Sequence, residues 1–495
     1  MNKKKNLITA LSLQIFTMLS GLILPRLIIS TFGSEINGMI SSITQFLSFI
    51  SLLEGGLGAV VLAELYKPIE EKDDEKINSI IISCQKFFSQ LAIVFTIYTV
   101  ILGCIYGYVL KNKYSFGFVC SLVFILAFTT LVQYLFSITY KLLLQAQQKI
   151  YLVNIISAAT IILNLILSVL LIYIYPEIHI VKLGSAIVFL IQPIFYSYFT
   201  EKKYRKIKVK DCVEEYKLGN RWDGFAQNLA HFVNLNIDIA IITIFLSLTE
   251  VSVYSVYMLP ITTLRLLISS MTNSYQSALG KYIAQGNFLE LKKSFQKFDN
   301  MNLLISISMF GTCILLINPF VSIYTKGISD ANYYQPIFAI IILLANMFYC
   351  MREPYRFLIL AAGKFKETNF GAIMEAVLNL VLSLVLIKKF GLIGVAVGTF
   401  IAIVYRFGYF IVYLKKNILL KNYKEYIQPI IKTVIIVVIN IYVYAVVKIN
   451  INNFVSFCIY SSITFTIEII VAYILYIKVN FSGKKKNEQG KKTMD

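Results

Sequence analysis

Long apolar blocks follow one another along the chain from Leu7 to Val479, separated by short polar stretches. About 20 apolar residues in a helix cross the hydrocarbon of a bilayer. Inside lipid every backbone amide and carbonyl must find a partner within the protein, which leaves helices or closed barrels. Barrel strands alternate apolar and polar residues in segments of about ten. These blocks do not alternate, so helices are expected. They fall at 7–31, 36–63, 80–110, 116–140, 150–174, 181–199, 223–246, 251–279, 301–324, 335–358, 369–387, 392–414, 430–447 and 454–477. The narrowest separations are Phe32-Gly33-Ser34-Glu35 and Gly391. The first block follows Met1–Lys5 and mimics a secretory leader, but it is longer than the roughly 7–15 apolar residues of one, and it reads as a retained span. Only 15% of the 495 residues are charged, against about 25% in soluble proteins. Fourteen spans of about 20 residues need about 280, and 58% of the chain is apolar. A soluble enzyme and a disordered chain are both excluded.

The net charge of +20 would suggest nucleic acid in a soluble protein. Here it is absorbed by the loops, and no nucleic-acid partner is expected. With fourteen spans both ends share one side. The loops on that side, with the two ends, hold 33 lysines and arginines, and the opposite loops hold 7. Basic loops stay in the cytoplasm, so both termini are expected there. The basic stretches Lys202–Lys210 and Lys484–Lys486 are orientation determinants or contacts to anionic lipid. The seven cysteines form no C-x-x-C pair and there are two histidines, so disulfides, zinc and other resident metals are not expected.

Shifted by 215 residues, the chain matches itself. Residues 140–172 and 355–387 share Tyr140/Tyr355, Ala146/Ala361, Lys149/Lys364, Asn154/Asn369, Asn164/Asn379 and Ser168/Ser383, among others. Chance similarity of two leucine-rich helices matches leucines, not Tyr, Lys, Asn and Ser at one offset. The offset pairs span five with span eleven, so the unit is six spans and both copies run in the same direction. The expected fold is an all-α integral membrane protein: an N-lobe (1–199), a basic cytoplasmic linker (200–222), a C-lobe (223–414) related to the first by a parallel pseudo-twofold repeat, two extra helices (430–477) and a basic tail (478–495).

The most informative residues are five arginines inside the blocks: Arg26, Arg265, Arg352, Arg356 and Arg406. A charge at the bilayer centre costs about 2.5–3.5 kcal/mol on insertion scales, so these side chains should face protein or a wet cavity. Arg352 and Arg356 are four apart and would share a helix face. A cationic cavity suits an anion such as pyrophosphate, which arginine grips through paired hydrogen bonds. The alternative is pairing with buried carboxylates such as Glu54, Glu353 or Glu375. Span seven carries Gln227, His231, Asn234 and Asp238 at helical spacing, on one face. Such groups can contact sugar hydroxyls or satisfy one another, and Asp238 can bind a proton or a sodium ion.

No P-loop, H-E-x-x-H, G-x-S-x-G or dinucleotide fingerprint is usefully placed, and the external loops are short. An enzyme is not expected. The fourteen spans, the two-lobe repeat, Pro25-Arg26, and Asn236-Ile237-Asp238 followed by Val253-Tyr254-Ser255-Val256-Tyr257 resemble the polysaccharide-transporter branch of the MOP superfamily. These are the Wzx-type flippases, relatives of the MATE exporters and of the lipid II flippases. Arg26 and Arg265 are similar in placement to lumen arginines of lipid II flippases. The chain departs from those proteins in having Leu27, not Asp, after Arg26. The resemblance implies a MATE-like fold in a bacterial cytoplasmic membrane. It implies a flippase for undecaprenyl-pyrophosphate-linked oligosaccharide that works by alternating access beside polysaccharide polymerase or assembly proteins. No cofactor is implied beyond a coupling proton or sodium ion. The arginines would hold the pyrophosphate, and span seven would contact the sugars. An ion-coupled multidrug exporter, a lipid II flippase and a membrane glycan polymerase are the other readings.

Overall fold

The computed structural model describes residues 2–54, 56–201, 225–364, 366–419, 423–446, 451 and 453–474. The expected linker beyond Glu201 and the expected tail lie outside the described residues. Among the described residues every regular element is helical, and 13 helices are long and apolar enough to cross a membrane. The chain divides into two units, Met1–Phe232 and Val233–Asp495.

The first unit contains α1 (Asn2–Phe32), α2 (Ser34–Ser48), α3 (Ser51–Glu54), α4 (Leu57–Glu71), α5 (Asp74–Val109), α6 (Phe116–Val132), α7 (Ile138–Ala146), α8 (Ile150–Ile174), α9 (Ile178–Phe189) and α10 (Ile191–Glu201). α11 (Phe225–Phe245) crosses the boundary. The second unit continues with α12 (Leu248–Ala284), α13 (Phe288–Tyr324), α14 (Pro336–Met351), α15 (Glu353–Ala361), α16 (Asn369–Phe390), α17 (Leu392–Leu414), α18 (Tyr423–Val446) and α19 (Phe454–Tyr473).

Large apolar side chains are exposed, and several polar and charged ones are buried. Leu7, Leu11, Ile15 and Leu19 form an exposed apolar stripe on α1, the surface that lipid would cover. Asn164, Glu375, Asn379 and Arg406 are buried. In the first unit, Asn6 bonds the Gln148 carbonyl (3.3 Å) and accepts from the Tyr151 amide (3.1 Å). At the other end of α1, Lys113 Nζ reaches Glu35 Oε1 at 2.7 Å, and this hydrogen bond raises the lysine's proton affinity. The alternating direction expected of successive spans is thus present in this unit.

Span two differs from the uninterrupted 36–63 block of the sequence. It breaks after Ser48 and again before Leu57, where Gly56 adopts a left-handed backbone (φ 76°) that glycine enters without steric cost. Spans three and nine begin earlier than their apolar runs, because Asp73 and Asn287 cap the amides of Lys76 and Glu290 and so start each helix before the apolar run. The separation at Gly391 is observed, with φ 55°.

The repeat has structural counterparts. Ser168 donates to Asn164 Oδ1 at 3.3 Å in α8, and Ser383 donates to Asn379 Oδ1 at 3.1 Å in α16. Span four is interrupted by a wide π turn over Gln133–Ser137, and span ten is interrupted at Arg352. Ser137 and Arg352 are themselves 215 residues apart.

α16 and α17 pack closely, because Gly394 and Gly398 form a small-x-x-x-small face. A Cβ on Gly394 would come within 2.5 Å of the Leu386 carbonyl, and one on Gly398 within 2.8 Å of the Ser383 amide nitrogen. Gly398→Val is expected to lower stability by about 1–3 kcal/mol through overpacking, read as a fall in the thermal midpoint of the protein in detergent. Gly408→Ala, where no heavy atom lies within 4 Å of the new Cβ, should leave the midpoint unchanged.

Candidate functional site

Asp238 lies near the C-terminal end of α11, buried at 3% exposure. Its carboxylate accepts from Thr399 Oγ1 on α17 at 2.9 and 3.1 Å, and from the Tyr254 hydroxyl on α12 at 3.0 Å. Thr399 also approaches Asn379 Oδ1 on α16 (3.3 Å) and the Val395 carbonyl (3.1 Å). Four helices therefore bring oxygen atoms together around one carboxylate. In the other copy of the repeat, Asn164 has only Ser168 as a hydrogen-bond partner among the described residues.

A cavity of about 10 Å³ opens beside this cluster, lined by Asp238, Tyr254, Thr399, Arg265, Asn346 and Tyr349, among others. That is room for about one water-sized particle. Arg265 projects from α12, one turn and a residue past Pro260. Its Nη1 donates to Asn346 Oδ1 at 3.1 Å, and its guanidinium lies 4.0 Å above the Tyr349 ring. Among the described residues no carboxylate lies within ion-pair distance of Arg265. The cation is held by an amide and an aromatic face, and it shares the cavity with the Asp238 carboxylate.

The other arginines of this unit have acidic partners. Arg352 and Arg406 both bind Glu375: Arg352 Nη1 contacts Oε1, and Arg406 Nε lies 3.6 Å from Oε2. All three side chains are at most 6% exposed. Arg406 also donates to the Thr368 carbonyl at 3.0 Å. Gly371 makes room for it, since a Cβ there would collide with the guanidinium. Arg356 forms a two-pronged pair with Glu353, at 3.0, 3.2 and 2.7 Å. The common helix face expected for Arg352 and Arg356 is not used as one face. Span ten is interrupted between α14 and α15, Arg352 sits in the junction, and the two arginines take different acids.

Arg26 is half-buried on α1, in the first unit. Gln227, His231 and Asn234 are on α11, but their side chains lie outside the described residues. The structure adds Tyr254, Thr399, Asn379, Asn346 and Tyr349 to the site. Asn379 carried a signal as a polar identity in the repeat, and Tyr254 stood in the motif after span seven. Thr399, Asn346 and Tyr349 had none.

No family model matches the sequence, and a search of curated proteins finds no match. Solved structures do match. The chain is similar to a lipid II flippase, MurJ, in an inward closed conformation, with a TM-score of 0.69 and 16% identity over 96% of this chain and 99% of that one. The fold is that of the MOP-superfamily transporters. An inward-facing MATE-family multidrug transporter of that superfamily gives a TM-score of 0.56 at 14% identity, over 82% of this chain and 96% of the other. The MATE multidrug transporter DinF-BH gives 0.57 at 16% identity, over 85% and 97%.

Glu375→Gln would leave two buried guanidinium groups without their anion. Breaking a buried pair in this way costs about 3–5 kcal/mol, so the variant is expected to lose most of its folded yield and thermal midpoint. Asp238→Asn keeps an acceptor for Tyr254 and Thr399, and its midpoint should stay close to that of the wild type.

Proposed function

We propose that the chain is a flippase for undecaprenyl-pyrophosphate-linked oligosaccharide repeat units. On this reading it sits in a bacterial cytoplasmic membrane with both termini in the cytoplasm, and it supplies cell-surface polysaccharide assembly by alternating access. The observation that carries the reading is Arg265: a cation within a membrane span, held by neutral partners beside a cavity. Arginine so placed can bind a phosphate oxygen through charge-assisted hydrogen bonds. Arg26 on α1 supplies a second arginine, in the first unit. Arg352, Arg356 and Arg406 are already engaged by carboxylates; Arg352 and Arg406, which outnumber Glu375, act on the cargo through charge, and Arg356 is matched by Glu353. Gln227, His231 and Asn234 contact the sugars.

The length of the fold supports a lipid-linked cargo over a drug. The match to the lipid II flippase leaves 4% of this chain uncovered, less than the combined length of α18 and α19. At least part of the pair that follows the two six-span lobes therefore falls within the match. Leu27, where lipid II flippases often carry an acid, favours a different saccharide on the same kind of carrier.

Asp238 supplies the coupling. The Asp238 carboxylate lines a space of about one water together with the Thr399 and Tyr254 side chains, oxygen ligands of the kind a small hard cation prefers. A proton on the carboxylate is the other occupant that this geometry accepts.

The test is translocation of a labelled prenyl-pyrophosphate oligosaccharide across vesicles containing the purified protein. Arg265→Ala and Arg26→Ala should each reduce the rate at least about tenfold, the factor for losing about 1.4 kcal/mol of anion binding, with expression intact. Asp238→Asn should abolish the response to an imposed sodium or proton gradient. Undiminished transport by both arginine variants would overturn the anion-clamp reading. Gradient-driven efflux of organic cations without lipid translocation would move the protein to the drug exporters.

A further inference from the structure

α19 is an apolar helix of 20 residues with two buried side chains, Glu468 and Ala472, one turn apart. Glu468 lies 14 residues from the start of the helix, about 21 Å along its axis at 1.5 Å per residue. It is 5% exposed. The helix therefore meets its neighbours through a carboxyl group at membrane depth.

The groups that face this carboxyl are neutral. On α13 the facing residue is Gly311, where a Cβ would come within 2.9 Å of the Glu468 carboxyl and 2.7 Å of the Asn440 amide nitrogen. Asn440, on α18, is itself buried at 6% exposure. Glu468 Oε2 and Asn440 Nδ2 are both buried and lie against each other, where the amide can donate to the carboxyl. Other titratable groups lie on the same helices. On α13, Cys313 is two residues from Gly311. The nearest charged residue of that helix, Asp299, is 12 residues away, about 18 Å along the axis, and it accepts from Tyr355. On α18, the Tyr444 hydroxyl accepts from Asn318, and Lys432 is eight residues before Asn440. α19 itself adds Cys458, Tyr460 and Tyr473. Among the described residues no cation pairs with Glu468.

An ionised carboxylate buried without a cation or water costs several kcal/mol. A proton removes that cost, and the neutral acid can then share hydrogen bonds with the Asn440 amide. We propose that Glu468 is a proton-binding site, loaded while α19 is docked on α13 and α18, whose deprotonation releases the C-terminal helix pair. The chemistry is proton transfer alone: the carboxyl O–H bond breaks and the proton passes to water. Because the docked state binds the proton and the released state gives it up, docking is favoured at low pH and lost as pH rises. The seat is specific to this pair of helices. It shares no residue with the Asp238 cluster, and Gly311 is what allows both polar groups to approach α13.

The experiment is hydrogen–deuterium exchange of segment 454–473 in the full chain in lipid nanodiscs, corrected for intrinsic rates, between about pH 5 and about pH 9. In the wild type, protection is expected to fall about tenfold per pH unit once the carboxyl ionises, the slope of a one-proton equilibrium. Glu468→Gln, which mimics the protonated acid, should remain protected across the range. Infrared spectra should show a protonated-carboxyl band that is present at low pH, titrates with the loss of protection, and is absent from Glu468→Gln. Wild-type protection that does not change with pH would overturn the proposal. So would a Glu468→Gln profile matching the wild type, or a Glu468→Gln protein that fails to fold, since the neutral amide is the form the seat should accept.

Discussion

The second unit depends on one carboxylate. Glu375 takes a guanidinium on each oxygen, from Arg352 at the junction of α14 and α15 and from Arg406 on α17. In a medium of low dielectric these three charges can neither part nor hydrate without a large cost. They therefore fix where span ten is interrupted and how α16 and α17 align with it. The glycine contacts along α17 and the seat at Gly371 follow the same alignment. Once α16 and α17 are in register, Asn379 and Thr399 stand where the Asp238 carboxylate can reach them, so the polar cluster inherits its geometry from the ion-pair network.

Much of this was legible in the residues. Apolar block length gave the spans, because lipid leaves a buried backbone no choice but a helix. Polar identities at one offset gave the six-span unit, and the structure shows why those identities were informative: Asn164–Ser168 and Asn379–Ser383 make the same bond in each copy. Asp238 stood out as an acid in an apolar run. Glu353 and Glu375 were foreseeable as arginine partners, for few acids are available inside the spans.

What was not legible depends on contacts between distant segments. Nothing local to Thr399 announces that it will bond a residue 161 positions earlier. Arg352 and Arg356 have the spacing of a shared face, but a junction at Arg352 turns them to separate partners, and periodicity alone assumes an unbroken helix. The split of span two at Gly56 was hidden in the same way, since a glycine in an apolar run reads equally as a packing residue. Glu468 was hidden for the opposite reason. It is a single acid in a long apolar helix, and only the meeting of α13, α18 and α19 shows that it points inward.

The Glu375 network does not sum to zero. Within this trio two guanidinium groups share one carboxylate, an excess of one positive charge, while the neighbouring Arg356–Glu353 pair is matched one to one. At an effective dielectric of about 20, such a charge repels a monovalent cation about 10 Å away by roughly 1.7 kcal/mol. Close to the trio a cation is therefore disfavoured and an anion favoured.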